Sequence, residues 1–392
     1  MLPLDGIVVV ALEQAVAAPF ATRQLADLGA RVIKIERPDT GDFGRAYDET
    51  VRGMSASFVW LNRSKESFTL NLKHPRASEI MSRLIERADV FLQNLAPGAA
   101  ARLGLSAEAL LARFPRLIVC DISGYGDSGP YRDKKAYDLL IQGETGLMSI
   151  TGTPEVPSKT GNSVADISAG MYAYSGILAA LLLRGKTGKG TRVEVSMFEA
   201  LCEWMTFPLY YAHFGGMPYA RSGPNHTAIV PYGPFRAGDG KVVIIGIQNE
   251  PEWKVFCERV LKQPELAGDP RFNSNSRRVA NREVLSSMIE AAFAKFQTKD
   301  LLELLDATGI ANSQMNNLEE VWNHPQLQSR KRWRSVESSV GQIPVLLPPA
   351  MPSGAEPRLD PIPELGAHVD ALLTELGYSR PEIENLRAEQ AV

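Results

Sequence analysis

The first 120 residues alternate between two hydrophobic periods. Ile7 to Leu12 reads IVVVAL, an unbroken apolar run, and such runs mark strands buried on both faces. From Pro19 to Leu28 the apolar spacing lengthens to that of a helix, and Gly29 follows as a fitting terminator. Arg31 to Ile35 is the next strand. Pro75 to Ala88 reads as a helix with proline at its start and Ile80, Leu84 and Ile85 on one face. Val90 to Leu92, Ala107 to Arg113 and Leu117 to Ile122 then predict strand, helix and strand. Strands alternating with helices imply a parallel sheet with helical crossovers, a Rossmann-like layer.

Beyond this layer the pattern changes. Gly124 to Gly161 is rich in glycine and polar turns, and a long apolar helix is predicted over Ser168 to Leu183. Its greasiest part, Met171 to Leu183, is about 13 residues, too short for a bilayer and so a core helix. A strand over Arg192 to Val195 and a helical, aromatic segment to about Phe214 follow. FRAGDGKVVIIGI, within Tyr232 to Ile247, predicts a hairpin around Gly238 to Gly240. Glu252 to Leu305 is helical and charged, Pro344 to Pro363 is an extended connector, and Val369 to Leu376 is a short helix. The expected fold class is therefore α/β, with a large Rossmann-like domain over 1–200 and a linker over 201–230. A smaller α+β domain over 231–330 follows, and a connector and C-terminal segment over 331–392 returns to the large domain.

Composition narrows the function. A chain of 392 residues exceeds one simple module and buries a core without disulfides or metal. Lys plus Arg at 42 against Asp plus Glu at 45 gives a net charge of −3, which argues against a nucleic-acid partner but leaves room for a local phosphate-binding pocket. Cys120, Cys202 and Cys257 lie far apart without metal spacing and read as reduced thiols of a cytoplasmic protein. The N-terminus meets Asp5 at once and shows no basic signal-peptide start, so no membrane partner is expected. The turn after the first strand, Glu13 to Ala18, lacks GxGxxG, and no GxxxxGK[ST] exists, which disfavours dinucleotide and P-loop chemistry. His74, His213, His226, His324 and His368 are scattered and no GxSxG is present, which disfavours a serine hydrolase.

Three groups of residues remain as candidate chemistry. Asp166 stands before the most apolar helix, where aspartate serves as an ordinary N-cap. Its neighbours Ala165, Ser168, Ala169 and Gly170 are small, however, and a helix N-terminus favours the anion that a carboxylate nucleophile needs. Tyr137 and Asp138, after Lys134 and Lys135, read either as a solvated loop with a helix cap or as hydrogen-bonding groups at a reacting carbonyl, with Lys135 on a phosphate. Arg37, Asn94 and Arg102 follow strands, and in parallel sheets ligands gather beyond the carboxyl ends of strands.

The blocks LDGIVVVAL, LADLGARVIKIERPDTGD, LNRSKESFTLNLKHP, ADVFLQNLAPG, GYGDSGPY, KAYDLLIQ, ADISAGMYAYSGILAALLLRGKTGKG and LGAHVDALLTELGY run in order along nearly the whole chain. Together they resemble the class III CoA-transferase family, which includes formyl-CoA transferase, carnitine CoA-transferase and alpha-methylacyl-CoA racemase. The resemblance implies an interlocked homodimer with large and small domains, acyl-CoA and a carboxylic acid as substrates, and no cofactor or metal beyond coenzyme A itself. It places the catalytic aspartate at Asp166. It places CoA contacts at Val16, Ala17, Arg37, Leu70, Asn71, Leu72, Lys73, Asn94, Leu95, Ala96, Arg102, Lys135, Ala136, Tyr137 and Asp138.

Racemases of the family carry a histidine where this chain has Tyr137, and a phenol, titrating ordinarily near pH 10, is a poor base at the α-carbon. That favours transfer over racemisation. A glutamine of formyl-CoA transferase is replaced by Val16, and its glycine-rich loop by NHTAIVPYGPF, which points away from oxalate and formate. The implied mechanism runs through an aspartyl mixed anhydride and an aspartyl-CoA thioester. Arg45, in GDFGRAYD, is the candidate partner for a second substrate carboxylate, as in succinate, malate, itaconate, mesaconate or citramalate. An acyl-CoA racemase and a non-catalytic CoA-binding dimer stay open as alternatives.

Overall fold

Six strands carry the framework of the computed structural model, which describes residues 1–216 and 219–392. They are β1 (Val8–Leu12), β2 (Arg31–Glu36), β3 (Lys65–Thr69), β4 (Val90–Gln93), β5 (Ile118–Ser123) and β6 (Arg192–Ser196). All neighbours pair in parallel, in the order β3-β2-β1-β4-β5-β6. This is the doubly wound order of Rossmann folds, whose topological switch lies between β1 and β4. The predicted strands fall on β1, β2, β4, β5 and β6. β3, reading KESFT, has too little apolar sequence to announce itself, yet Ser67, Phe68 and Thr69 are all buried.

Alternation along the strands divides the burial between two faces. Val10, Leu12, Ile33, Ile35, Phe68, Phe91 and Val119 pack in one core with the helix Ala77–Glu86 and the C-terminal helices Val369–Glu375 and Arg380–Ala388. Each large side chain buried there contributes about 1.5–3 kcal/mol. The helices needed to place the site are α1 (Ala17–Asp27), α2 (Ala56–Leu61), α3 (Ala77–Glu86), α4 (Ala99–Arg102), α5 (Ala107–Arg113), α6 (Asp138–Glu144), α7 (Leu147–Ile150), α8 (Val164–Thr187), α9 (Met197–Trp204) and α10 (Thr206–Gly215). α1 and α8 lie against each other. Gly170 permits the approach, because a Cβ there would sit 2.6 Å from the Ala17 carbonyl oxygen.

The chain divides into two compact units. The first comprises Met1–Gly146, Thr160–Thr206 and Leu327–Val392; the second comprises Leu147–Lys159 and Phe207–Gln326. Of the expected linker 201–230, residues 207–230 thus group with the second unit, as does 147–159, while 201–206 stay with the first. The second unit holds an antiparallel sheet of β7 (Tyr232–Arg236), β8 (Val242–Gly246) and β9 (Ala311–Gln314), in which β7 and β8 form the expected hairpin. β10 (Trp333–Val336) and β11 (Ile343–Leu346) pair in the first unit, inside what the sequence offers as connector.

The long apolar helix is longer than its periodicity predicts. α8 runs for 24 residues and is long and apolar enough to cross a membrane by length and composition alone. Its small residues Ala165, Ser168, Ala169, Gly170 and Ala173 are buried within the first unit. The early start places Asp166 inside the first turn rather than before it.

Candidate active site

The carboxyl edge of the sheet is built by loops that the strands release side by side. At the switch point, Asn94 ties the β4 loop to the β1 loop: its Oδ1 accepts from the Gln14 N–H at 2.9 Å and its Nδ2 donates to the Gln14 carbonyl at 3.0 Å. Ala15 adopts a left-handed conformation, φ 59°. Its N–H donates to Asp42 Oδ1 at 2.9 Å, and the Gly44 N–H donates to the same oxygen at 2.8 Å. One carboxylate therefore holds the loops after β1 and β2 together.

Asp42 is itself held by charges that sequence reading missed. Glu13, Lys34, Asp42 and Lys65 are all buried. Lys34 Nζ lies 2.7 Å from Asp42 and 3.2 Å from Glu13, while Lys65 Nζ lies 2.7 Å from Glu13. Thr22 donates to the second Glu13 oxygen at 2.6 Å. Two anions meet two cations, so no net charge is buried. Burial alone raises a carboxyl, but Lys34 and Lys65 outweigh it and hold Glu13 below the usual carboxylate range. Burial with only partial compensation by Glu13 lowers Lys65 to about 8. A signal existed: Lys34 interrupts the apolar strand VIKI, and a buried lysine requires a partner.

The candidate nucleophile lies on α8. Asp166 is the third helical residue after the N-cap Ser163, whose side chain makes no capping bond. That duty falls to Asp138: its Oδ1 accepts from the N–H groups of Ala165 at 2.8 Å and Asp166 at 3.4 Å. The Asp166 carboxylate is half-buried and has no hydrogen-bond or ion-pair partner among the described residues. Burial, with the nearby Asp138 charge added, pushes its carboxyl up to about 7. Tyr47 lies within the field of the same carboxylate, and burial together with Asp42, Asp166 and Tyr137 pushes its phenol up to about 12. Tyr47, Tyr137, Asp138 and Asp166 are thus brought together. Tyr47 carried no sequence signal, since it lies in a polar loop.

The remaining sequence candidates fall as follows. Val16 and Ala17 are buried at the start of α1. Arg37, directly after β2, and Arg102, at the end of α4, are exposed, and neither guanidinium has a partner among the described residues. Leu70 is buried with its N–H on the Glu36 carbonyl at 2.8 Å, Asn71 bonds through its N–H to Ala391 at 2.8 Å, Leu72 is half-buried, and Lys73 is exposed. The Leu95 N–H donates to Gln93 Oε1 at 2.7 Å, and Ala96 accepts from the Ala99 N–H at 3.0 Å. Lys135 and Tyr137 are exposed, and Ala136 packs against Gly124, where any Cβ would overlap it.

Two expectations change. Asp138 does not point a free carboxylate at a ligand, because both oxygens are engaged: Gln142 Nε2 donates to Oδ2 at 2.7 Å while Oδ1 caps α8. Arg45 is not an open cation for a second substrate carboxylate either. Glu36 takes its fork through two bonds of 2.8 Å, and the guanidinium lies 3.8 Å from the Phe58 ring centroid. Burial would raise Glu36, but Arg45 and Lys34 bring it down to about 2. Among the described residues no three His, Cys, Asp or Glu side chains are placed to hold a metal ion. A cavity of about 250 Å³ opens at the amino ends of β2 and β3, beside Arg31, Glu66 and Arg358. It lies at the opposite sheet edge, and Arg31 there is already paired to Glu66 at 2.7 Å and Glu375 at 2.7 Å.

With this arrangement in place, comparison identifies the class. The sequence matches CoA-transferase family III over residues 4–369 and belongs to that family, a family of enzymes that transfer coenzyme A. It is 35% identical over 391 residues to a succinyl-CoA:glutarate CoA-transferase of Mus musculus, covering 98% of this chain and 89% of the relative. It is 37% identical over 330 residues to an acetyl-CoA:oxalate CoA-transferase of Acetobacter aceti, covering 84% of each. The crystal structure of a CAIB/BAIF family protein from Brucella suis matches with a TM-score of 0.84 at 34% identity, over 96% of this chain and 99% of that one.

Proposed function

We propose that this CoA-transferase moves CoA from succinyl-CoA or a similar thioester to a short dicarboxylic acid, through a covalent intermediate on Asp166. The observation that carries the reading is a half-buried carboxylate without a partner among the described residues, next to a second carboxylate that is fully engaged. An unpartnered buried carboxylate is costly, and such cost marks functional sites. In the first step an Asp166 oxygen attacks the acyl carbon, the C–S bond breaks and CoA thiolate leaves. The thiolate attacks the aspartyl carbonyl of the mixed anhydride and expels the donor acid as its carboxylate. The acceptor carboxylate then attacks the aspartyl thioester, and the thiolate attacks the new acyl carbon, releasing Asp166. No proton is consumed and the thioester is conserved, provided water stays out.

Arg37, Lys73, Arg102 and Lys135 are the cations offered to CoA phosphates; their exposure and, for both arginines, the lack of a partner among the described residues suit that role. The backbone of Val16, Ala17 and Asn94 to Ala96 lines the approach from the switch point. The acceptor's second carboxylate is assigned to no residue here, since Arg45 is occupied by Glu36.

The same reading includes a homodimer. Only 33% of the most apolar 18-residue stretch of α8 is buried within one chain. Leu182 and Leu183 on this helix are at least 50% exposed. An apolar helix face left open to this degree fits coverage by a second copy. The free cysteines fit a cytoplasmic setting.

The test is an acceptor screen with succinyl-CoA as donor, read by mass spectrometry. Efficient transfer to four- and five-carbon dicarboxylates, glutarate included, supports the reading. Preference for long or aromatic acids refutes the substrate class, and preference for oxalate refutes the four- and five-carbon range within it. Deuterium exchange at the α-carbon without an acceptor would favour racemisation instead.

A further inference from the structure

Asp138 caps α8 through Oδ1, and its second oxygen is held by a neighbour. Gln142, one helical turn further along α6, is fully buried. Its Nε2 donates to Asp138 Oδ2 at 2.7 Å, and its Oε1 accepts from the Thr160 N–H at 2.9 Å. Only one orientation of the amide satisfies both partners, because the Thr160 N–H is a donor and the Asp138 oxygen an acceptor. One side chain therefore fixes the cap of α8 and the segment that leads into it.

We propose that Gln142 is a positioning residue of the transfer reaction: its amide keeps Asp138 on the first turn of α8, so that the Asp166 carboxylate stays open to the acyl carbon. The inference rests on Asp166 being the nucleophile. If Asp138 turned away, the Ala165 and Asp166 N–H groups would lose their acceptor, and the Asp166 side chain could fold back to serve them. An aspartate at this helical position is suited to that local bond. Gln142 touches no substrate and acts through Asp138.

A double-mutant cycle in the full-length enzyme tests this. Gln142→Met keeps volume and removes both bonds. The expected result is a loss in kcat of about 10- to 100-fold, the size typical of slight misplacement of a reacting group, with KM for acyl-CoA within about threefold. Added to Asp138→Asn, it should cause no further loss, since both changes break one unit. A filler role in packing would instead multiply the two losses. Wild-type kcat in Gln142→Met, or multiplied losses in the double variant, overturns the proposal. Should Gln142→Met fail to fold, Gln142→Asn, one methylene too short to reach both partners, enters the same cycle under the same criteria. Asp166→Ala separates the premises. Full activity there sinks the nucleophile itself, whereas an inactive Asp166→Ala beside unaffected Gln142 variants sinks only the positioning role.

Discussion

Asp138 Oδ1 stands 2.8 Å from the Ala165 nitrogen and 3.4 Å from that of Asp166, so one carboxylate caps the helix that bears the other. The cap relieves Asp166 of local duty. The proximity of the two charges also opposes ionisation of Asp166, which burial already raises toward 7.

The pH dependence follows from that pair. Attack needs the Asp166 anion, so kcat/KM should fall as pH drops through about 7. Asp138→Asn removes the like charge, and the acid limb should move to lower pH, while kcat drops because the cap is weaker. A pH–rate profile checks both. An unmoved limb in Asp138→Asn would mean that the two charges do not interact.

Stability should respond with the opposite sign. A carboxyl whose folded pKa is raised costs nothing below its unfolded value near 4, costs progressively more as pH rises, and costs the full amount above about 7. Asp166→Asn should therefore be more stable than wild type at pH 8, by up to about 4 kcal/mol, and equal to it at pH 4. Urea unfolding at the two pH values is the measurement.

CoA contacts should separate from chemistry. Arg37→Ala and Arg102→Ala each remove an exposed cation at the carboxyl edge of the sheet. Each should raise KM for acyl-CoA about 10-fold, as loss of a charged hydrogen bond does, with kcat within about threefold. Steady-state kinetics at low and moderate salt report the difference.

The buried charges predict a large structural effect. Lys34→Met leaves Asp42 without its 2.7 Å cation and Glu13 with Lys65 as its remaining cation. Breaking such a pair costs about 3–5 kcal/mol. Denaturant titration should show this, and a loss below about 1 kcal/mol would mean that water reaches the network.

The sheet was largely legible because its strands are continuous apolar runs and its helices have clean periodicity. β3 was not, since KESFT owes its burial to neighbours rather than composition. Asp166 was legible through its small neighbours, but its freedom from capping was not, because the cap comes from Asp138, 28 residues earlier in the chain. The engagement of Arg45 by Glu36 was equally hidden: an arginine in a loop gives no local sign of a partner nine residues back at a strand end.

The most direct measurement is chemical trapping of the intermediate. Enzyme incubated with acyl-CoA and treated with borohydride or hydroxylamine should carry its modification at Asp166, located by peptide mass spectrometry, and Asp166→Ala should carry none. Turnover with no modification at Asp166, or with modification at another carboxylate, would contradict the account.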